Sequence, residues 1–150
     1  MKAVLQRVAY ARVRVAGEVV GEVGPGLLVL LGVMEGDGES NLAELVERVA
    51  GYRIFPDDQG RMNRSLLDRR AVGEPAGVLV VSQFTLAADG RKGRRPSFDR
   101  AAKPEQAEPL YEAFCAALSE QGLEVAQGRF GAEMEVELLN QGPATFLLER

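Results

Sequence analysis

The chain has 150 residues, 46% of them hydrophobic, and a formal charge of −4 at pH 7. One domain of this length can bury a core without metal or disulfide staples, and the negative charge argues against a protein that coats nucleic acid indiscriminately. There is no histidine and a single cysteine, Cys115, which excludes a Ser-His-Asp or Cys-His catalytic group, an internal disulfide and a typical zinc site.

The opening MKAVLQRV carries one early lysine but no apolar run behind it, so it does not read as a signal peptide. Residues 2–15 alternate around Val4, Val8, Val13 and Val15, with Arg7, Arg12 and Arg14 between them, as a long half-buried strand does. Gly17 turns the chain into a second strand, Glu18–Val23. Gly24-Pro25-Gly26 is a turn signal leading to an apolar strand, Leu27–Val33. That run is the longest apolar stretch and is far too short to span a bilayer. A cytoplasmic protein without a membrane partner is the expectation.

Glu35-Gly36-Asp37-Gly38 is a predicted loop, after which Ser40 is the expected cap of a helix. Its inner face would carry Leu42, Leu45, Val46 and Val49. Ile54-Phe55 before Pro56–Gly60 reads as a strand ending in a turn, and Ser65–Arg70 as a short helical turn. Gly77–Thr85 is a second continuous apolar strand, expected to be central. Residues 88–103 form a polar loop. Pro104 then starts the longest helix, to about Gln121, with Leu110, Phe114, Ala117 and Leu118 inward and Gly122 as its stop. Strands follow at Leu123–Ala126, Met134–Leu139 and Thr145–Leu148, the last two separated by a turn at Gly142-Pro143. The predicted fold class is α+β, one domain over residues 1–150. Its sheet is mostly antiparallel and barrel-like, with two main helices packed on it.

Three segments can carry chemistry. Ser82-Gln83-Phe84-Thr85 ends an apolar strand with three polar side chains. They either bond to neighbouring strands and solvent or line a site beside the following loop. Arg91-Lys92-Gly93-Arg94-Arg95-Pro96-Ser97-Phe98 is either a solvated basic loop or a phosphate grip, where the arginine fork matches phosphate oxygens. Asn140-Gln141-Gly142-Pro143 reads on its own as an ordinary turn, and only about 5–6% of X-Pro bonds in folded proteins are cis.

Taken in order, Ser82–Leu86, Gly93–Phe98 and Gly142–Thr145 resemble the bacterial D-aminoacyl-tRNA deacylase family. The likeness extends to Gln6-Arg7-Val8, Gly26-Leu27-Leu28, Arg53-Ile54-Phe55 and Gly128–Met134, and so covers essentially the whole chain. Ala144 departs from the valine more usual in the family. The resemblance implies hydrolysis of the ester between a D-amino acid and tRNA, by a homodimer with active sites at the subunit interface. It implies a catalytic segment of Ser82, Gln83, Phe84 and Thr85. Substrate would also be bound by Gly142, Pro143, Phe130, Met134 and Arg7, with a cis Gly142-Pro143 bond reaching into the partner's pocket as chiral selector. Arg91, Lys92, Arg94 and Arg95 are the expected tRNA contacts. No metal or cofactor is expected.

For the attack itself, Thr85 is one candidate, but a hydroxyl needs a nearby base and no lysine lies near the motif. The other is a water activated with help from the ribose hydroxyl vicinal to the ester, with an oxyanion hole from backbone N–H groups near Phe84 and Thr85. Glycine mischarged on tRNA(Ala) is a second expected substrate. Two further readings stay open: a non-enzymatic tRNA-binding module, and a hydrolase of free D-amino acid esters or peptides.

Overall fold

The computed structural model describes residues 1–91 and 94–150. The alternating N-terminal segment forms β1 (Lys2–Val15), which turns at Ala16-Gly17, both with positive φ, into β2 (Glu18–Val23). Positive φ at both central residues is what a tight hairpin turn of matching twist requires. β3 (Gly26–Gly32) continues β2 along the same edge of β1, antiparallel to it and opposite Lys2–Val8.

Helix α1 (Glu39–Gly51) starts one residue before the expected cap. Gly38, not Ser40, is the N-cap residue. Asn41 is why: its side-chain Oδ1 accepts the Gly38 N–H at 3.0 Å, drawing the chain into the helix earlier. The inward face is Leu45, Val46, Val49 and Ala50, with Leu42 at its margin. A small hairpin of β4 (Phe55–Pro56) and β5 (Met62–Arg64) follows, then α2 (Leu66–Ala71). Ser65 caps α2 by accepting the Asp68 N–H, while the Asp68 carboxylate accepts the Ser65 N–H.

The second apolar strand, β6 (Gly77–Ser82), ends three residues before the expected Thr85. Phe84–Ala87 form a 3-10 turn instead. The Gln83 N–H still reaches back to the Leu31 carbonyl at 2.7 Å, but β3 itself ends at Gly32, leaving no partner strand to extend the ladder. Helix α3 (Pro104–Glu120) then buries Ala107, Tyr111, Phe114, Cys115 and Leu118, and β7 (Glu124–Gln127) adds to β6 in parallel.

The largest departure is at the C-terminus. The two strands expected around Gly142-Pro143 are one, β8 (Glu135–Glu149), paired with β1 along nearly its whole length. Val8 pairs with Asn140 and Gln6 with Thr145, so residues 141–144 have one β1 residue opposite them and bulge out of the ladder. Gly-Pro interrupts the pairing without ending the strand.

The resulting sheet is mixed, with β3–β6 and β6–β7 parallel and the β1 pairings antiparallel. It is nearly closed into a barrel, because β2 folds round to β7. Gly21 permits that approach, since a Cβ there would stand 2.4 Å from the Gln127 carbonyl oxygen. Val8, Val13, Leu28, Leu79 and Val81 fill the barrel. A second layer, built on Leu5, Leu27, Val78, Phe114 and Leu118, joins the sheet to the helices. Each fully buried side chain of this kind contributes about 1.5–3 kcal/mol. Among the described residues no helix is long and apolar enough to cross a membrane.

Candidate active site

Where β6 runs out, its last residues meet segments from three other parts of the chain. A cavity of about 500 Å³ opens there, within the range of small-molecule sites. Ser82, Gln83 and Phe84 form one wall, Phe130 and Met134 another, and Ala101, Ala102 and Tyr111 close it. Gly128 makes room for this packing: a Cβ there would meet the Met134 sulfur at 2.7 Å. Phe84 is largely exposed and lies edge-on to Phe98, with ring centroids 5.1 Å apart. Phe130 packs on Tyr111 at 5.8 Å.

The only titratable side chain among the described lining residues is Tyr111. Its hydroxyl donates to the Val80 carbonyl at 2.9 Å, and burial pushes its phenol up, so it stays a neutral donor at any working pH. Beneath it the Cys115 thiol is pushed up to about 12 by burial, which makes it inert as a nucleophile. Neither Tyr111 nor the pair Ala101-Ala102 stands out in the sequence. Tyr111 belongs to the helix periodicity, and two alanines in a polar loop carry no signal.

Thr85 does not line the cavity. It is exposed, and its hydroxyl accepts a hydrogen bond from the Gln83 side-chain amide. The Gln83 N–H is engaged by Leu31. The N–H groups of Phe84 and Thr85 open the 3-10 turn, where no intrahelical acceptor exists for them.

Gly142 and Pro143 are exposed and lie outside this cavity in their own chain. Their bond is cis, and Gly142 has φ +116°, a region that suits only glycine. The bulge is braced from below. Asn140 Nδ2 donates to the Arg7 and Ala144 carbonyls, both at 3.0 Å, and the Arg7 guanidinium, held by the Ile54 carbonyl at 2.6 Å, sits under Gly142. Arg7 therefore belongs to the turn and not to the cavity.

Of the basic loop, Arg94 and Arg95 are exposed. Arg91 is folded back on Asp89, its Nε 2.9 Å from each carboxylate oxygen. Lys92 and Gly93 lie outside the described residues.

A family model described as D-Tyr-tRNA(Tyr) deacylase matches residues 4–149. The D-aminoacyl-tRNA deacylase of Idiomarina loihiensis is 56% identical over 149 residues, 99% of each chain. That of Symbiobacterium thermophilum is 55% identical over 149 residues, 99% of this chain and 95% of the relative. Among solved structures, the c-Myc DNA Unwinding Element Binding Protein superposes with TM-score 0.91 at 38% identity, covering 100% of this chain and 99% of the other. A probable eukaryotic D-amino acid tRNA deacylase superposes with TM-score 0.82 at 18% identity, covering 99% and 98%, a likeness of fold alone.

Proposed function

This chain belongs to the D-Tyr-tRNA(Tyr) deacylase family and is a hydrolase of the D-aminoacyl-tRNA ester; from that premise we propose that water, and no side chain, attacks the ester. The observation that carries this is the cavity wall itself, where the polar groups are Ser82, Gln83 and a neutral Tyr111 and no described residue is a base. Water adds to the ester carbonyl while the vicinal ribose hydroxyl relays its proton, and the ribose oxygen leaves with a proton. The N–H groups of Phe84 and Thr85 receive the developing oxyanion, a contribution of about 10²–10³ in rate for each such donor. The aminoacyl ester is already reactive, so this equipment suffices.

Thr85 then acts by holding the Gln83 amide. Thr85→Ala should retain deacylation within about tenfold of the parent, the effect of one hydrogen bond. Removing a true nucleophile costs on the order of 10⁶. Single-turnover hydrolysis of D-aminoacyl-tRNA measures the difference, and an acyl ester trapped on Thr85 overturns the proposal.

The exposed Gly142-Pro143 bulge, lying outside its own chain's cavity, supports a homodimer in which it enters the partner's cavity and rejects L-aminoacyl esters. Tyr10, Leu139 and Leu147 add exposed apolar surface for such an interface. Glycine has no side chain to reject, so glycyl-tRNA is a second substrate. The whole of residues 1–150 forms this one deacylase domain, working in the cytoplasm.

The exposed Arg94 and Arg95 are proposed to grip the tRNA backbone. Changing both to alanine should weaken tRNA binding across sequences and reduce its salt slope by about one unit for each phosphate no longer gripped. Filter binding over a salt series tests this, and an unchanged slope would leave the loop a solvated surface. A module that only binds RNA accounts for the basic loop but not for the cavity behind Ser82–Phe84.

A further inference from the structure

A second hollow, of about 450 Å³, lies directly behind the wall of the ester cavity. The two share their partition. Phe84 faces the ester cavity and Ala87 and Ala88 face the second hollow, one 3-10 turn or about 6 Å further on. On the other side Met34 bridges to Ala101, with Met34 lining the hollow and Ala101 the ester cavity.

The hollow is cationic. Lys2, Arg91 and Arg100 line it. Two of these are spoken for: Lys2 lies 2.8 Å from Glu149, and Arg91 forks onto Asp89. Arg91 holds the Asp89 carboxyl down at about 2, so this pair stays ionised and closed on itself. Arg100 differs. Its guanidinium is exposed and makes no hydrogen bond or ion pair within 4 Å among the described residues, while its field reaches both Asp89 and Glu149. Its backbone is fixed, because the Glu35 N–H donates to the Arg100 carbonyl and the Ala101 N–H to that of Phe98, both at 2.9 Å. Three cations against two carboxylates leave one positive charge, on a rigid mount, a single turn from the ester site.

We propose that this hollow is a phosphate subsite, in which Arg100 pairs with the 5′-phosphate of the terminal nucleotide whose 3′ end carries the ester. This rests on the ester cavity taking the aminoacyl end of tRNA. The ribose carries the ester and the 5′-phosphate on opposite sides, so a sugar seated against the Phe84 wall directs its phosphate past that wall. The arginine fork matches two phosphate oxygens. Lys2 adds field at the rim.

The test uses D-aminoacyl-tRNA and 2′(3′)-O-D-aminoacyl adenosine with and without a 5′-phosphate, each with the parent, Arg100→Ala and Arg100→Lys. Arg100→Ala should raise KM about tenfold for the phosphate-bearing substrates with kcat nearly unchanged, the strength of one charge-assisted pair. Removing the phosphate from the adenosine ester should cost the parent a similar factor. The two losses should not multiply when combined, since each deletes the same interaction. Arg100→Lys should recover part of the KM. Multiplicative losses, or an unchanged KM in Arg100→Ala, overturn the subsite. Competition by inorganic phosphate equal to that by the 5′-phosphorylated ester would reduce it to a general anion site and overturn the assignment to the terminal nucleotide. If the parent leaves D-aminoacyl-tRNA intact, it is the ester-cavity reading that fails.

Discussion

Gly142→Ala should collapse the discrimination between D- and L-aminoacyl-tRNA, by about 10²-fold or more, because displacement of a positioning group by an ångström can cost that much. The residue has φ +116°, where an L side chain is strained, and a Cβ would stand 2.8 Å from an Arg7 nitrogen and 3.1 Å from the Ala144 N. The bulge has to move. Under the proposed arrangement it moves inside the partner's cavity, where an enzyme for D-esters must refuse every correctly charged L-aminoacyl-tRNA, so refusal counts for more than affinity. Backbone is well suited to this task. All L-amino acids place their side chain in the same direction from Cα, so one fixed obstruction serves for every substrate. The ratio of kcat/KM for D- and L-tyrosyl-tRNA measures the effect. Melting should change by little, as the bulge is exposed. An unchanged ratio, or a solution mass of one 16.2 kDa chain under assay conditions, overturns the reading.

The largest effect on stability is expected at Gly26→Ala. Gly26 pairs with Gly77 across the parallel β3–β6 ladder, and a Cβ on Gly26 would lie 1.9 Å from the Gly77 carbonyl oxygen. The obstacle is backbone and cannot rotate away. Gly77 is confined as well, though less severely, with a Cβ there 2.9 Å from that of Val23. Overpacking usually costs about 1–3 kcal/mol, occasionally more, and a clash with fixed backbone belongs at or above the upper end. At about 2–4 °C per kcal/mol for a domain of this size, the midpoint should fall by about 10 °C. Thermal and urea melts test it; a shift below about 2 °C would mean that the two strands separate freely at this end.

That glycine also separates what is local from what is not. In the sequence, Gly24-Pro25-Gly26 reads as a turn, but the chain only bends there and keeps its direction, since Val23 lies opposite Ala11 and Gly26 opposite Val8 in the same antiparallel run along β1. Nothing nearby announces that Gly26 also faces Gly77, far along the chain. The same division runs through the molecule. Periodic burial is a local property, so β1, the apolar part of β6 and helix α3 are legible from spacing alone. Helix ends are less so, because Asn41 competes with Ser40 as the polar group at the start of α1. β8 reads as two strands because Gly-Pro breaks a ladder locally. It remains one because β1 continues to pair on both sides of the bulge, and pairing with a distant strand outweighs the unpaired residues 141–144.

The candidate site divides in the same way. By itself the sequence determined the chemistry that this protein lacks, no histidine and no disulfide, and it marked Ser82–Phe84, Phe130 and Met134, which the fold does bring to one cavity. Only the tertiary structure decided that Thr85 turns out of that cavity, that Arg7 braces the Gly142 bulge, and that Tyr111 and Ala101 complete the wall. The physical reason is that β6 ends where its partner strand ends. A residue's direction beyond that point follows from hydrogen bonds to segments far away in the chain, and these leave no period in the sequence.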